Sequence, residues 1–134
     1  MYVTLNTLLK LDPSDFDKVT EINISYNKLE TFPRILIDNI HKFVNLKILY
    51  CNNISLTELP DLSAIINLKI LYCNNNRLTE LPDLSANINL KYLFCYNNKF
   101  NIEIPETNII NRYNQFLIEE KLKFRDTRIK SARK

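Results

Sequence analysis

Residues 46–59 read LKILYCNNISLTEL, residues 68–81 read LKILYCNNNRLTEL, and residues 90–104 read LKYLFCYNNKFNIEI. Each copy starts 22 residues after the one before it. A fixed period of this size marks a repeat architecture, in which one unit cannot bury its apolar side alone and must stack on the next. Within a copy the order is L-x-x-L-x-C-x-x-N-x-L-x-x-L. A weaker copy precedes them, with Val19, Ile22, Ile24, Asn27, Leu29 and Phe32 at the same offsets.

Side chains alternate between the two faces of a strand. The Leu and Cys positions (Leu46, Leu49, Cys51, Leu56 and Leu59, with their equivalents in the next two copies) therefore point into a core. Short strands of successive copies should pair in parallel, so that each column meets its equivalent about 4.8 Å away. In the first repeat Ile35, Leu36, Ile40, Phe43 and Val44 sit near helical spacing, which predicts an α-helix on its outer side. The next two repeats close with Leu-Pro-Asp-Leu-Ser at 59–63 and 81–85, which suits an extended or 3₁₀ return.

Residues 1–18 are expected to form an N-terminal cap, residues 19–105 the repeats, and residues 106–134 a C-terminal capping helix with a basic tail. The apolar residues near the start mix helical and strand spacing, and a short helix is the favoured reading. Ile109, Ile110, Tyr113, Phe116 and Leu117 fall on one face of a helix over 107–125.

The pattern resembles the leucine-rich repeat family, with Cys in place of a strand Leu. The resemblance implies an α/β fold: a right-handed leucine-rich repeat solenoid of about four repeats, with a short parallel β-sheet on its concave face. It further implies a protein or peptide partner bound on that face, and a structural role for the recurring Asn, whose side chain satisfies the turn after the strand. Asn27, Asn76 and Asn98 occupy that slot, but Ile54 replaces it in the second repeat, where either Asn53 moves in or the turn is satisfied differently, and a local weak point is expected. Short, Asn-rich, Cys-bearing repeats of this kind are similar to those of giant DNA viruses of the mimivirus type and of bacterial effector proteins. That likeness implies a pathogen protein acting on host partners.

The outward strand positions carry the functional signal. They are Ile48, Tyr50 and Asn52, then Ile70, Tyr72 and Asn74, then Tyr92, Phe94 and Tyr96, with Glu21, Asn23 and Ser25 in the first repeat. Contiguous exposed apolar side chains of this kind mark interaction surfaces, and Tyr and Phe are stiff interface anchors. The same rows also fit a ladder that only stabilises the sheet, or a surface covered by a terminal segment or a second copy in a homodimer. Lys47, Lys69 and Lys91 form a column at the edge of that face, and Glu58 and Glu80 an acidic one elsewhere.

Other chemistry finds little support. Cys51, Cys73 and Cys95 point the same way from neighbouring strands and do not converge as metal ligands, so they read as small buried hydrophobes. Three Cys at one repeat position point to an intracellular protein with reduced thiols, and the start of the chain does not read as a signal peptide. No run of residues is long and apolar enough to span a bilayer. Phosphate loops, nucleophile elbows and zinc-protease motifs are missing, so no enzyme and no cofactor is expected. There is no Gly, and the 19 Asn are expected to take the left-handed turns. The net charge of +3 divides into a mildly acidic body and a basic end. That end holds Lys121, Lys123, Arg125, Arg128, Lys130, Arg133 and Lys134, an alternative site for nucleic acid or an anionic surface, although a terminal run of this length is more often a solvated end.

Overall fold

A computed structural model describes residues 1–100. The expected C-terminal helix and the basic tail lie outside the described residues. The described part is built on one five-stranded parallel sheet in the order β1-β2-β3-β4-β5. The strands are β1 (Tyr2–Thr4), β2 (Glu21–Asn23), β3 (Ile48–Tyr50), β4 (Ile70–Tyr72) and β5 (Tyr92–Phe94). The helices are short: α1 (Leu5–Leu9), α2 (Arg34–Asn39), and 3₁₀ turns at Pro13–Lys18 and Ile40–Lys42. A parallel sheet with so little helix fits an α/β repeat fold.

The register follows the repeat. Val3, Ile22, Leu49, Leu71 and Leu93 lie side by side, all facing inward and buried. Beside them run Ile24, Cys51 and Cys73, fully buried, and Cys95, partly so. Main-chain pairing continues past the strands: the Cys51 N–H donates to Tyr72 O and the Cys73 N–H to Phe94 O, both at 2.8 Å. The far side of the core is filled by Phe16 and Phe43, stacked at 4.7 Å, then by Leu62, Ile65 and Leu84. The outer side of the first repeat is helical as its spacing predicts, and the Leu-Pro-Asp-Leu-Ser segments return without helix.

The first residues differ from the short helix expected of them. Tyr2–Thr4 form a strand paired with β2, and only then does α1 begin. Asp12 accepts from the Ser14 N–H at 2.9 Å, as Asp61 does from Ser63 and Asp83 from Ser85. The N-terminal segment thus uses the same Asp-x-Ser turn as the repeats. It escapes a search at period 22 because Val3 and Ile22 pair across a shorter span.

The turns after the strands need a left-handed residue. Tyr26, Asn53, Asn75 and Asn97 occupy equivalent positions, with φ of 62°, 58°, 55° and 54°. Asn tolerates this conformation better than other residues with a Cβ. Three of these Asn also form a ladder, Asn75 Nδ2 donating to Asn53 Oδ1 at 3.2 Å and Asn97 Nδ2 to Asn75 Oδ1 at 2.7 Å.

The expected weak turn at Ile54 is corrected by the structure. Asn76 serves the turn before its own: its Oδ1 accepts from the Ile54 and Leu56 N–H groups, both at 3.1 Å, and its Nδ2 donates to Cys51 O at 2.9 Å and Cys73 O at 3.0 Å. Asn98 repeats the arrangement, accepting from the Leu78 N–H and donating to Cys73 O and Cys95 O. The missing amide at position 54 is felt one repeat earlier, where the Leu29 N–H donates to Asn27 O instead. Ile54 itself is core, 1% exposed.

Three stability predictions follow from these contacts. Ile54→Asn is expected to destabilise the protein by about 2–4 kcal/mol, because it removes a buried side chain and buries an amide. A urea melt with unchanged or raised stability would contradict the assignment of that turn to Asn76. Asn76→Ala should cost about 2–4 kcal/mol, since it strands two buried N–H groups and two carbonyls; a loss below about 1 kcal/mol in the same melt would refute it. Tyr26→Asn, at an exposed left-handed position, should stabilise by about 0.5–1 kcal/mol.

Candidate functional site

The outer face of the sheet holds every site residue the alternation singled out. One column runs Tyr2, Glu21, Ile48, Ile70, Tyr92, and the next Thr4, Asn23, Tyr50, Tyr72, Phe94. Beyond the strand ends, Asn52, Asn74 and Tyr96 follow Ser25 in a third. The face is polar at β1 and β2 and aromatic from β3 to β5.

Parallel pairing in register places like rings over one another. Tyr50 and Tyr72 stack with centroids 4.7 Å apart and planes 7° from parallel; Tyr72 and Phe94 stack at 4.6 Å and 6°. Each such pair contributes about 0.5–1.5 kcal/mol beyond its area. The stacking also half-buries the rings, along with Ile48 and Ile70. Tyr92 and Tyr96 remain open, at 46% and 55% exposure. Partial burial, with Tyr72, Glu21 and Tyr2 nearby, raises the Tyr50 phenol above its ordinary value, so its hydroxyl is a neutral donor at pH 7.

The amides of the third column differ. Asn52 is half-buried and donates to Asn53 Oδ1 at 3.1 Å. Asn74 is 5% exposed, and its Oδ1 has no hydrogen-bond partner. A buried acceptor left unpaired is costly, and such atoms call for an explanation. The neighbours of Asn74 in the column are Asn52 and Tyr96, and the oxygen itself is closed to solvent.

Several features were not found from the sequence. Tyr2, its hydroxyl accepting from Asn23 Nδ2 at 3.0 Å, extends the face by one strand. Val44, Ile66 and Ile88 form a ridge of exposed apolar side chains in the turns that lead into β3, β4 and β5, at 44%, 55% and 84% exposure. Their spacing of 22 was the available signal. Asn67 and Asn89, next in sequence to the last two, each donate to a carbonyl of the ridge one repeat back, Val44 O and Ile66 O. Lys47, Lys69 and Lys91 are exposed on the same side.

The acidic residues are placed otherwise. Asp61 is held below the usual carboxylate value by hydrogen bonds from Ser63, which makes it part of a turn. The cysteines are free thiols. Burial pushes Cys51 and Cys73 well above the ordinary thiol value and Cys95 up to about 11, and Cys51 Sγ donates to Tyr72 O at 3.2 Å. No cluster of potential metal ligands occurs among the described residues, and no helix there is long and apolar enough to cross a membrane. The seven basic tail residues from Lys121 to Lys134 lie outside the described residues.

Residues 66–106 match the family model for leucine-rich repeats, in two copies. The match supports the family reading made from the repeated stretch, and leucine-rich repeat domains are generally protein-interaction modules, typically without enzymatic activity. A search of curated proteins found no match.

The thiols generate a pH prediction. A buried thiol stays protonated in the native state while the unfolded chain loses its proton above the ordinary value of 9.0. Stability is therefore complete below that pH and should fall between pH 9.0 and about 11, as the unfolded state becomes the better acid. Thermal melts across this range check the direction. In the same native samples a thiol reagent should modify Cys95 first and leave Cys51 and Cys73 intact; equal rates at all three would contradict their burial.

Proposed function

We propose that the protein is a non-enzymatic interaction module that binds a protein or peptide segment on the outer face of its sheet. The face is the concave side of a short right-handed solenoid, with the N-terminal segment as a cap at one end. One observation carries the reading: a rigid column of stacked rings, Tyr50, Tyr72 and Phe94, is flanked by open Tyr92 and Tyr96 and by a buried Asn74 oxygen that lacks a partner. Rings already ordered by stacking lose little entropy when a partner covers them.

The module works inside the cell, where its thiols stay reduced. The further reading, a viral or bacterial protein acting on host partners, rests on the resemblance of the short Leu-Pro-Asp-Leu repeats alone.

A displayed random-peptide library, selected on the native chain, tests the proposal. Enriched peptides should bind the native protein and lose at least about tenfold in affinity, about 1.4 kcal/mol, on the Tyr50→Ser, Tyr72→Ser, Phe94→Ser variant, checked for fold by circular dichroism. Peptides that bind both proteins equally, or a library that yields none, would overturn it.

A further inference from the structure

The side of the sheet where the strands enter carries a charge pattern that folding does not require. Lys47, Lys69 and Lys91 are locked in a row by the main chain: the Lys69 N–H donates to Lys47 O at 2.7 Å and the Lys91 N–H to Lys69 O at 2.9 Å. Their Cα atoms are thus one strand apart, about 4.8 Å. Like charges in neighbouring strands repel. The ion pairs among the described residues are Lys18–Asp15 and Arg34–Asp38, so none of the three lysines has a carboxylate. Residues 1–100 hold as many acids as bases, so the row is a matter of placement. Glu21, on β2, is the one carboxylate in the outward columns.

We propose that the segment recognised by this face is acidic. It is an extended stretch that alternates carboxylates with aromatic or aliphatic side chains and runs across β3, β4 and β5. This rests on the reading that the ring column binds a peptide, and adds what the peptide must be. The exposed lysine row lies just before β3, β4 and β5, three residues ahead of the ring row along the chain, or about 10 Å. An extended chain lying between them throws alternate side chains to opposite sides. Acids on every second residue then face the lysines, and the residues between them face the rings. Covering the row places its charges in a drier setting, where pairing discriminates strongly between partners.

The same observations disfavour other occupants. A second copy brings a lysine row of its own and no carboxylate in the matching columns beyond Glu21. A lipid surface would meet the exposed ridge of Val44, Ile66 and Ile88 beside the lysines and would leave the half-buried Tyr50, Tyr72 and Phe94 unused.

The test uses the full chain and three labelled synthetic peptides of about ten residues, long enough to cross three strands when extended. They alternate Tyr with Asp, with Ser, or with Lys, and binding is read by fluorescence anisotropy. The Asp peptide should bind at least about tenfold tighter than the Ser peptide, and added salt should erase the difference. The Lys47→Gln, Lys69→Gln, Lys91→Gln variant should lose that preference yet bind the Ser peptide as before. A Lys peptide that binds as well as the Asp peptide overturns the inference. So does an Asp preference that survives in the Gln variant, since the acids are then read elsewhere. Sedimentation with phosphatidylserine vesicles that depends on the three lysines, without Asp-peptide binding, overturns it in favour of lipid. If none of the peptides responds to Tyr50→Ser, Tyr72→Ser, the ring column is not the binding surface, and the parent proposal fails instead.

Discussion

The structure depends on amides that work one repeat away from where they sit. Asn76 takes two N–H groups and a carbonyl from the turn before its own, and Asn98 does the same for an N–H and a carbonyl. A turn of this kind buries main-chain polar groups that a single repeat cannot satisfy. The second and third repeats are therefore each completed by the successor, in their polar groups as well as in their apolar core. That fixes the register between neighbours, because a slip of one residue would strand these groups and turn the inner columns outward. The exact stacking of Tyr50, Tyr72 and Phe94 is a consequence of the same register.

Much of this was legible because the two periods are simple. A spacing of 22 aligned the repeats, and alternation within each strand separated Leu49, Leu71 and Leu93 from the outward residues beside them. What escaped did so for physical reasons. β1 pairs with β2 across a shorter span than the repeat, so no period revealed it. The turn at Ile54 is not weak because its amide comes from Asn76, one repeat on, which spacing within a single repeat does not reveal. Along the outer face, alternation gave the columns but not their state: that the rings stack, or that Asn74 is buried with an idle oxygen, depends on side-chain packing. The ridge of Val44, Ile66 and Ile88 lies in turns, where alternation has no meaning.

The absence of Gly fits the same picture. Three of the left-handed positions among the described residues fall to Asn53, Asn75 and Asn97, which bond to one another along the stack, while Tyr26, Glu30 and Ser55 take the others. Asn here is both a turn residue and a tie between repeats, whereas Gly could supply only the turn. Inside the sheet the Cys column fills space, and burial makes its thiols weaker acids. The outer side of the sheet carries the distinctive chemistry: a rigid row of rings beside a row of lysines.

The central claim is that this face is free to take a partner. The mass of the native chain in solution, by light scattering, tests it most directly, beside that of the Tyr50→Ser, Tyr72→Ser, Phe94→Ser variant. The account expects 15.9 kDa, one chain, for both. A native dimer that becomes a folded monomer in the variant would show that the ring column joins two copies, and would contradict the account.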